Sequence, residues 1–120
     1  MFKLKPKSIT DFSLTANFFI GHDVNVEGLI KTEDDIYIDG NLNGEIEAEG
    51  LVEIAKNANV RADIRARALI IEGKFKGKSI VKEEVVIIRG AVTSGEIEAN
   101  EVELEKGAIF NGQIKTASFK

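Results

Sequence analysis

Hydrophobic and polar residues alternate with a period of two along most of the chain, as in strands that bury one face. One recurring phrase is an apolar residue, any residue, a small residue, any residue and a second apolar residue. Its small residues are Gly28, Gly44, Ala62, Gly77, Gly95 and Gly112. Their spacings of 16, 18, 15, 18 and 17 residues indicate a repeat of about 17 residues.

A second phrase, apolar-x-apolar, keeps the same period. It occurs at 36–38, 52–54, 69–71, 86–88 and 102–104, with spacings of 16, 17, 17 and 16 residues. Phe18, Phe19 and Ile20 form a partial first copy. Two phrases that stay in step over ninety residues indicate a structural repeat, and a unit of this length is too short for a helical crossover.

We therefore predict an all-β, single-domain, right-handed parallel β-helix, a solenoid of about six coils. The glycines are expected to allow positive φ at the corners. In the fourth copy Ile80 follows Gly77 one residue late, so we expect a bulge or a longer corner there. The alternative is an antiparallel sandwich, although only Asn111-Gly112 gives a hairpin signal.

The repeat divides the chain into three parts: a flexible N-terminal tail over 1–17, the β-helix over 18–117 and a short C-terminal tail over 118–120. Apolar and basic residues alternate at the N-terminus, at Met1, Phe2, Lys3, Leu4, Lys5 and Lys7. Two interpretations remain open. The segment is a disordered tail, or it is a membrane tether whose lysines face an anionic lipid surface while Phe2 and Leu4 insert.

Composition excludes several kinds of chemistry. The 120 residues include 20 acidic and 16 basic side chains, a net charge of -4, with one histidine, His22, and no cysteine. Disulfides, thiolate metal sites and cysteine nucleophiles are therefore excluded. No nucleic-acid partner is expected from this charge, and no secretory signal or spanning segment is recognisable. We expect a cytoplasmic protein.

Charge is segregated along the chain. Residues 20–55 hold ten acids and one base, residues 61–82 seven bases and two acids, and residues 83–107 seven acids and two bases. This pattern is typical of a solvated surface of mixed sign. It also permits lateral bundling, in which the basic band of one particle meets an acidic band of another.

The chain offers no convincing catalytic, metal or cofactor site. Gly73–Ser79 is one residue short of a phosphate-binding loop, and a strand rather than a helix follows it. We therefore predict no cofactor and no enzymatic activity.

A β-helix has two open ends with unpaired backbone groups, which favour pairing with another copy. Apolar residues cluster in both terminal coils, with Ile109, Phe110 and Ile114 in the last and Phe18, Phe19 and Ile20 in the first. We predict that these six residues form the interfaces of an open homopolymer.

Residues 28–31, 36–46 and 107–114 resemble the bactofilin domain, a family of bacterial cytoskeletal proteins, and the resemblance extends over 18–117. It implies end-to-end filaments that form without nucleotide. It also implies roles in cell shape, or in positioning envelope or peptidoglycan-modifying proteins at the inner face of the cytoplasmic membrane. Phe110 matches the last-coil phenylalanine that the family associates with an end contact. The alternatives are a hexapeptide-type β-helix acyltransferase and a scaffold that does not polymerise.

Overall fold

A computed structural model describes the backbone of residues 2–4 and 17–119 and the side chains of residues 18–116. The described residues form eleven strands and no helix. The strands are β1 (Phe2–Leu4), β2 (Asn17–Ile20), β3 (Asn25–Thr32), β4 (Asp35–Ile38), β5 (Asn41–Ala48), β6 (Leu51–Ile54), β7 (Asn59–Ala66), β8 (Ala68–Ile71), β9 (Lys74–Ile87), β10 (Val92–Leu104) and β11 (Ile109–Phe119).

The strands form two rows that wind around one core. The first row runs β3, β5, β7 and β9, and the second runs β2, β4, β6, β8 and β9, with β10 and β11 stacked beyond β9. Every pair from β2 to β11 is parallel. This pairing confirms the predicted parallel β-helix of about six coils and is incompatible with an antiparallel sandwich.

Inward side chains stack in columns from coil to coil, because each strand pairs in register with its equivalent in the next coil. In one column each residue is at most 1% exposed: Ile36, Val52, Leu69, Val85 and Val102. Along β7, exposed and buried residues alternate without exception. The hydrophobic period of two in the sequence is thus the inward–outward alternation of the strands.

Glycine occupies the corner position of most coils, as predicted. Gly44 has φ +148°, and a Cβ there would collide with the carbonyl oxygen of Gly28 in the preceding coil. The same relation joins Gly95 to Gly77. Positive φ and close backbone approach together explain why this column admits almost only glycine.

The second phrase was predicted one residue out of register in the fourth coil. The sequence assigned Val86 and Ile88 to the core, whereas the structure buries Val85 and Ile87 and leaves the other two partly exposed. Val85 is the register partner of Leu69, which fixes its inward direction. All four residues of this run are apolar, so hydrophobicity alone cannot distinguish the two registers.

The bulge expected after Gly77 lies a few residues later. Ser79 takes the column position that Ile80 was expected to fill: it is fully buried and pairs in register with Ile64. The irregularity falls opposite Ala99 and Glu101, whose partners are Val81 and Glu84. A polar residue in an apolar column made the fourth copy look displaced.

Residues 2–4, within the predicted tail, form a short strand. β1 pairs antiparallel with β3, with Phe2 opposite Gly28 and Leu4 opposite Val26. It therefore occupies the edge of β3 that β5 does not use. At the other end of the chain, β11 continues to Phe119, past the predicted boundary at 117.

Candidate functional site

The last coil leaves one backbone edge open. Among the described strands β11 pairs only with β10. Its inward residues Phe110 and Ile114 extend the columns of Thr93 and Ile97, but no further coil covers them and both stay partly exposed. This end of the rod combines unpaired backbone groups with uncovered core, as the sequence predicted for an interface.

Ile109, also predicted at this interface, points to the side of the rod. It is 58% exposed and pairs in register with Val92, which is 42% exposed. Val92 was missed by the sequence reasoning. Comparison of the repeats could have identified Val92 as an unusual apolar residue, because earlier coils have polar residues at this outward position: Asn25, Asn41, Asn59 and Lys74.

The first coil presents two of its three predicted interface residues. Phe19 is 44% exposed, and its ring centroid lies 5.2 Å from that of Tyr37. Phe18 is partly buried against the core, while Ile20 is 1% exposed and lies within the rod. Among the described strands, β2 pairs only with β4.

The predicted membrane tether is only partly described. Met1, Lys5 and Lys7 lie outside the described residues. The backbone of Phe2, Lys3 and Leu4 pairs with β3. The backbone of residues 2–4 therefore lies against the first coil.

Apolar residues are concentrated on the outward side of the second row. We call them the apolar stripe and define it by six residues that are exposed or partly exposed: Phe19, Tyr37, Ala68, Ile70, Val86 and Ile88. Glu53 pairs in register with Tyr37 and Ile70 and so interrupts the stripe between them. Desolvation raises the pKa of Tyr37 above its ordinary value. Three nearby carboxylates raise this pKa further, those of Asp39, Glu53 and Glu72. The stripe thus has an acidic rim.

A basic band covers outward positions of the first row and the turn between β7 and β8. We define it by seven exposed residues of the third and fourth coils: Arg61, Arg65, Arg67, Lys74, Lys76, Lys78 and Lys82. Arg67 Nη1 donates a hydrogen bond of 3.0 Å to Glu83 Oε1. Within the described ranges this is the band's only ion pair, so six cations face solvent without a carboxylate partner.

The described residues do not form a metal or catalytic cluster. In the described part of the chain, no three histidine, cysteine or acidic residues are arranged so that they could hold a metal ion. The His22 side chain is 65% exposed, and its Nε2 lies 3.5 Å from Asp23 Oδ1. Surface grooves of about 410 and 300 Å³ run between coils and are lined mostly by exposed polar side chains. None of the described segments is a helix with the length and apolarity needed to cross a bilayer.

Comparison with known proteins gives a consistent assignment. The family model for bactofilin, described as polymer-forming cytoskeletal, matches residues 18–115. A solved structure of Thermus thermophilus bactofilin, a cryo-EM reconstruction of double helical filaments, is similar with a TM-score of 0.78 and 30% sequence identity. That similarity covers 82% of this chain and 98% of the Thermus chain. No curated protein matches. The chain belongs to the bactofilin family of polymer-forming cytoskeletal proteins.

Proposed function

We propose that this chain is the subunit of a cytoskeletal filament in which rods join end to end without nucleotide. One observation carries the proposal: the last coil has an open backbone edge on β11 and uncovered core residues, Phe110 and Ile114. A rigid rod with two adhesive ends forms an open chain rather than a closed ring. The filaments formed by the Thermus relative support this assignment.

The end contacts join like ends, last coil to last coil and first coil to first coil. Phe110 supplies the apolar centre of one contact, flanked by Ile109 and Ile114. Phe18 and Phe19 supply the other, while the buried Ile20 supports them from within the rod. Burying one phenylalanine stabilises a contact by about 1.5–3 kcal/mol, so its loss weakens assembly without removing the fold.

Assembly without nucleotide agrees with the local structure of the Gly73–Ser79 segment. Lys74–Ile87 is strand β9, paired in parallel with β7 on one side and β10 on the other. The backbone amides of this strand are therefore used in hydrogen bonding within the sheet. A phosphate-binding loop needs free amides at the start of a helix.

At the membrane, the N-terminal residues act as a weak tether that becomes strong in a filament. Lysines near an anionic surface contribute about 1 kcal/mol each, so a single copy binds reversibly and a filament binds through many copies. The bound filament then scaffolds cell shape or envelope-associated, peptidoglycan-modifying proteins at the inner membrane surface.

Negative-stain electron microscopy of purified protein, without nucleotide or metal, tests the polymer. We expect filaments from the unmodified chain and short particles from Phe110→Arg, because a charged side chain cannot be buried at the end contact. Asn43→Arg is the matched control, since Asn43 is exposed on β5, away from both ends. Circular dichroism checks that all three proteins keep their strands.

Two results would contradict the proposal. Small particles from the unmodified chain at every salt and protein concentration would favour a scaffold that does not polymerise. Saturable binding of acetyl-coenzyme A would favour the acyltransferase alternative.

A further inference from the structure

Two corners of the solenoid have an asparagine directly before the corner glycine, and both lie within strands rather than in hairpin turns. They are Asn43-Gly44 in β5 and Asn111-Gly112 in β11. At the other corners a different residue precedes the small one: Glu27, Arg61, Lys76 and Ser94. Every other asparagine of the chain is followed by a residue with a side chain. The two asparagine–glycine bonds thus occupy the same position of the repeat.

An asparagine before a glycine can lose its side-chain amide without any enzyme. The backbone nitrogen of the glycine attacks Cγ of the asparagine, and a bond forms between these two atoms. The bond from Cγ to Nδ2 breaks, and ammonia leaves with the proton of the glycine amide, which completes a succinimide ring. Water then opens the ring at either carbonyl and gives aspartate or isoaspartate. Glycine favours the reaction because no side chain shields its nitrogen.

The fold requires the glycine of each pair. Gly44 and Gly112 both have φ +148°, and a Cβ at either residue would collide with a carbonyl oxygen of the preceding coil. These oxygens belong to Gly28 and Gly95, respectively. Because the glycine cannot be replaced, the rate of amide loss depends on how firmly the strand around each asparagine is held.

The strands hold the two pairs to different degrees. Ring closure needs a rotation about ψ of the asparagine, out of the extended region, so a paired strand must first open locally. β5 pairs with β3 on one edge and with β7 on the other, whereas β11 pairs only with β10 among the described strands. Opening β11 therefore breaks one ladder of hydrogen bonds, and opening β5 breaks two. Asn111 and Gly112 are both exposed, so water reaches the ring.

We propose that Asn111 is a site of spontaneous deamidation, through which an unassembled copy loses the ability to form its last-coil contact. The modified residue directly follows Phe110. Aspartate places a negative charge beside the apolar contact, where burial of the charge is costly. Isoaspartate also adds a methylene group to the main chain of β11, which shifts Ile114 out of register with Ile97. The effect on assembly rests on the proposed filament, whereas the reaction itself does not.

Assembly should protect Asn111 from the same reaction. In the proposed end contact the last coil of a second copy lies against β11, so opening this strand also breaks the contact between the two copies. Copies within a filament should therefore keep the amide of Asn111, while free copies lose it with time. Because the contact joins like ends, two deamidated copies would also bring two new negative charges to one interface.

Peptide mapping by mass spectrometry measures amide loss at both pairs, and Asn43 serves as the internal control. In protein too dilute to form filaments, Asn111 should lose its amide about tenfold faster than Asn43 or more, since each tenfold step corresponds to about 1.4 kcal/mol of opening free energy. In filaments the rate at Asn111 should fall by about the same factor. Phe110→Arg, which should not polymerise, should show the fast rate at low and high protein concentration.

Variants of Asn111 connect the modification to assembly. Dilute protein is stored, then concentrated, and the filaments are sedimented. The unmodified chain should lose sedimentable protein in step with deamidation at Asn111. Asn111→Gln should keep it, because a glutamine side chain closes the larger ring far more slowly, and Asn111→Asp should sediment poorly even when fresh. Asn43→Gln and Asn43→Asp are the matched controls at an exposed position of β5 and should behave like the unmodified chain.

Equal rates of amide loss at Asn111 and Asn43 would overturn the proposal and leave the filament itself intact. Deamidated copies that sediment as well as intact ones would overturn the effect on assembly, as would an Asn111 rate that is the same in filaments and in dilute protein. If fresh protein forms no filaments at any concentration, the proposed function fails, and the effect on assembly fails with it. The two rates in dilute protein then still decide whether Asn111 is the modification site.

Discussion

Thr93 and Phe110 are register partners in β10 and β11, so a buried hydroxyl lies next to the aromatic residue proposed for the end contact. Thr93 is 1% exposed, and its hydroxyl has no hydrogen-bond partner among the described residues. On its other side the same column continues to Phe75. An unpaired buried hydroxyl costs about 1–3 kcal/mol, so the core beneath the end contact is less stable than its apolar content suggests.

We expect Thr93→Val to stabilise the fold, because it removes the unpaired hydroxyl and keeps the shape of the side chain. The free energy of unfolding should rise by about 1 kcal/mol. Urea denaturation followed by circular dichroism, at protein concentrations too low for filaments, measures it. Thr32→Val is the control, since Thr32 is partly exposed and its Oγ1 accepts a hydrogen bond from the Asp34 amide. A control that gained as much stability as Thr93→Val would contradict the explanation.

A side chain at a corner of the coil should destabilise the fold strongly. Gly95 has φ +119°, and a Cβ there meets the carbonyl oxygen of Gly77. Gly90 has φ +89° but open space around it. Gly90→Ala should therefore lower the free energy of unfolding by only about 1–2 kcal/mol, the cost of positive φ for a residue with a Cβ. Gly95→Ala should cost at least about 2 kcal/mol more, because a backbone must also move. Equal losses of unfolding free energy in the two variants would mean that close packing of coils is not the constraint.

Tyr37 is the chain's only tyrosine, and there is no tryptophan, so near-ultraviolet absorbance reports one ionisation. The midpoint should lie above pH 10.0, since desolvation and neighbouring carboxylates raise this pKa. Glu53→Gln should lower the midpoint, as should high salt, while Glu27→Gln on the other row should not. If neither Glu53→Gln nor high salt lowered the midpoint, the carboxylates of the acidic rim would not be a cause of the raised pKa of Tyr37.

The same pKa predicts a dependence of stability on pH. The folded state favours neutral Tyr37, so its contribution is fully present below pH 10.0, the ordinary value, and is lost as pH rises through the raised pKa. Tyr37→Phe cannot ionise and should lose less stability than the unmodified chain over this range. All other side chains are the same in both proteins, so their contributions cancel in the comparison. Thermal melts at matched pH values measure the difference.

Neutralising the lysines of the N-terminal segment should weaken membrane attachment. Replacing Lys3, Lys5 and Lys7 by glutamine should cost about 3 kcal/mol per copy at an anionic surface, roughly a 150-fold loss of affinity. Co-sedimentation with vesicles containing anionic phospholipid measures it, using Phe110→Arg to keep the protein unpolymerised.

The control for this experiment neutralises the band instead, at Lys74, Lys76 and Lys78. Its net charge equals that of the tether variant. If the control lost vesicle binding and the tether variant kept it, the membrane surface of the protein would be the band.

The repeat could be predicted from the sequence wherever inward positions were apolar and outward positions polar. Along β7 that condition holds at every residue, and the prediction is confirmed. It fails at Val85–Ile88, where outward residues are apolar as well, and at Ser79, where an inward residue is polar. Both exceptions depend on tertiary contacts: the first lies on the apolar stripe, and the second adjoins a bulge.

The surfaces were harder to predict than the core. Phe110 and Phe19 could be placed at the ends because the repeat stops there. The apolar stripe could not, since Phe19, Tyr37 and Ile70 occupy the unconstrained middle position of the second phrase. Val86 and Ile88 had been assigned to the core, and their adjacency to Ile70 appears only when the coils are aligned. The pairing of β1 with β3 joins residues separated by the whole N-terminal segment, which no local pattern specifies.

The direction of the hydrogen bonds determines how such a filament carries load. Strands lie across the rod, so the bonds between coils run along it. A pull along the filament loads the whole boundary between β9 and β10 at once, and the covalent chain crosses every such boundary as well. The contact between subunits has no covalent link. Under tension the filament should break between subunits and leave each rod folded, so that a broken filament can rejoin.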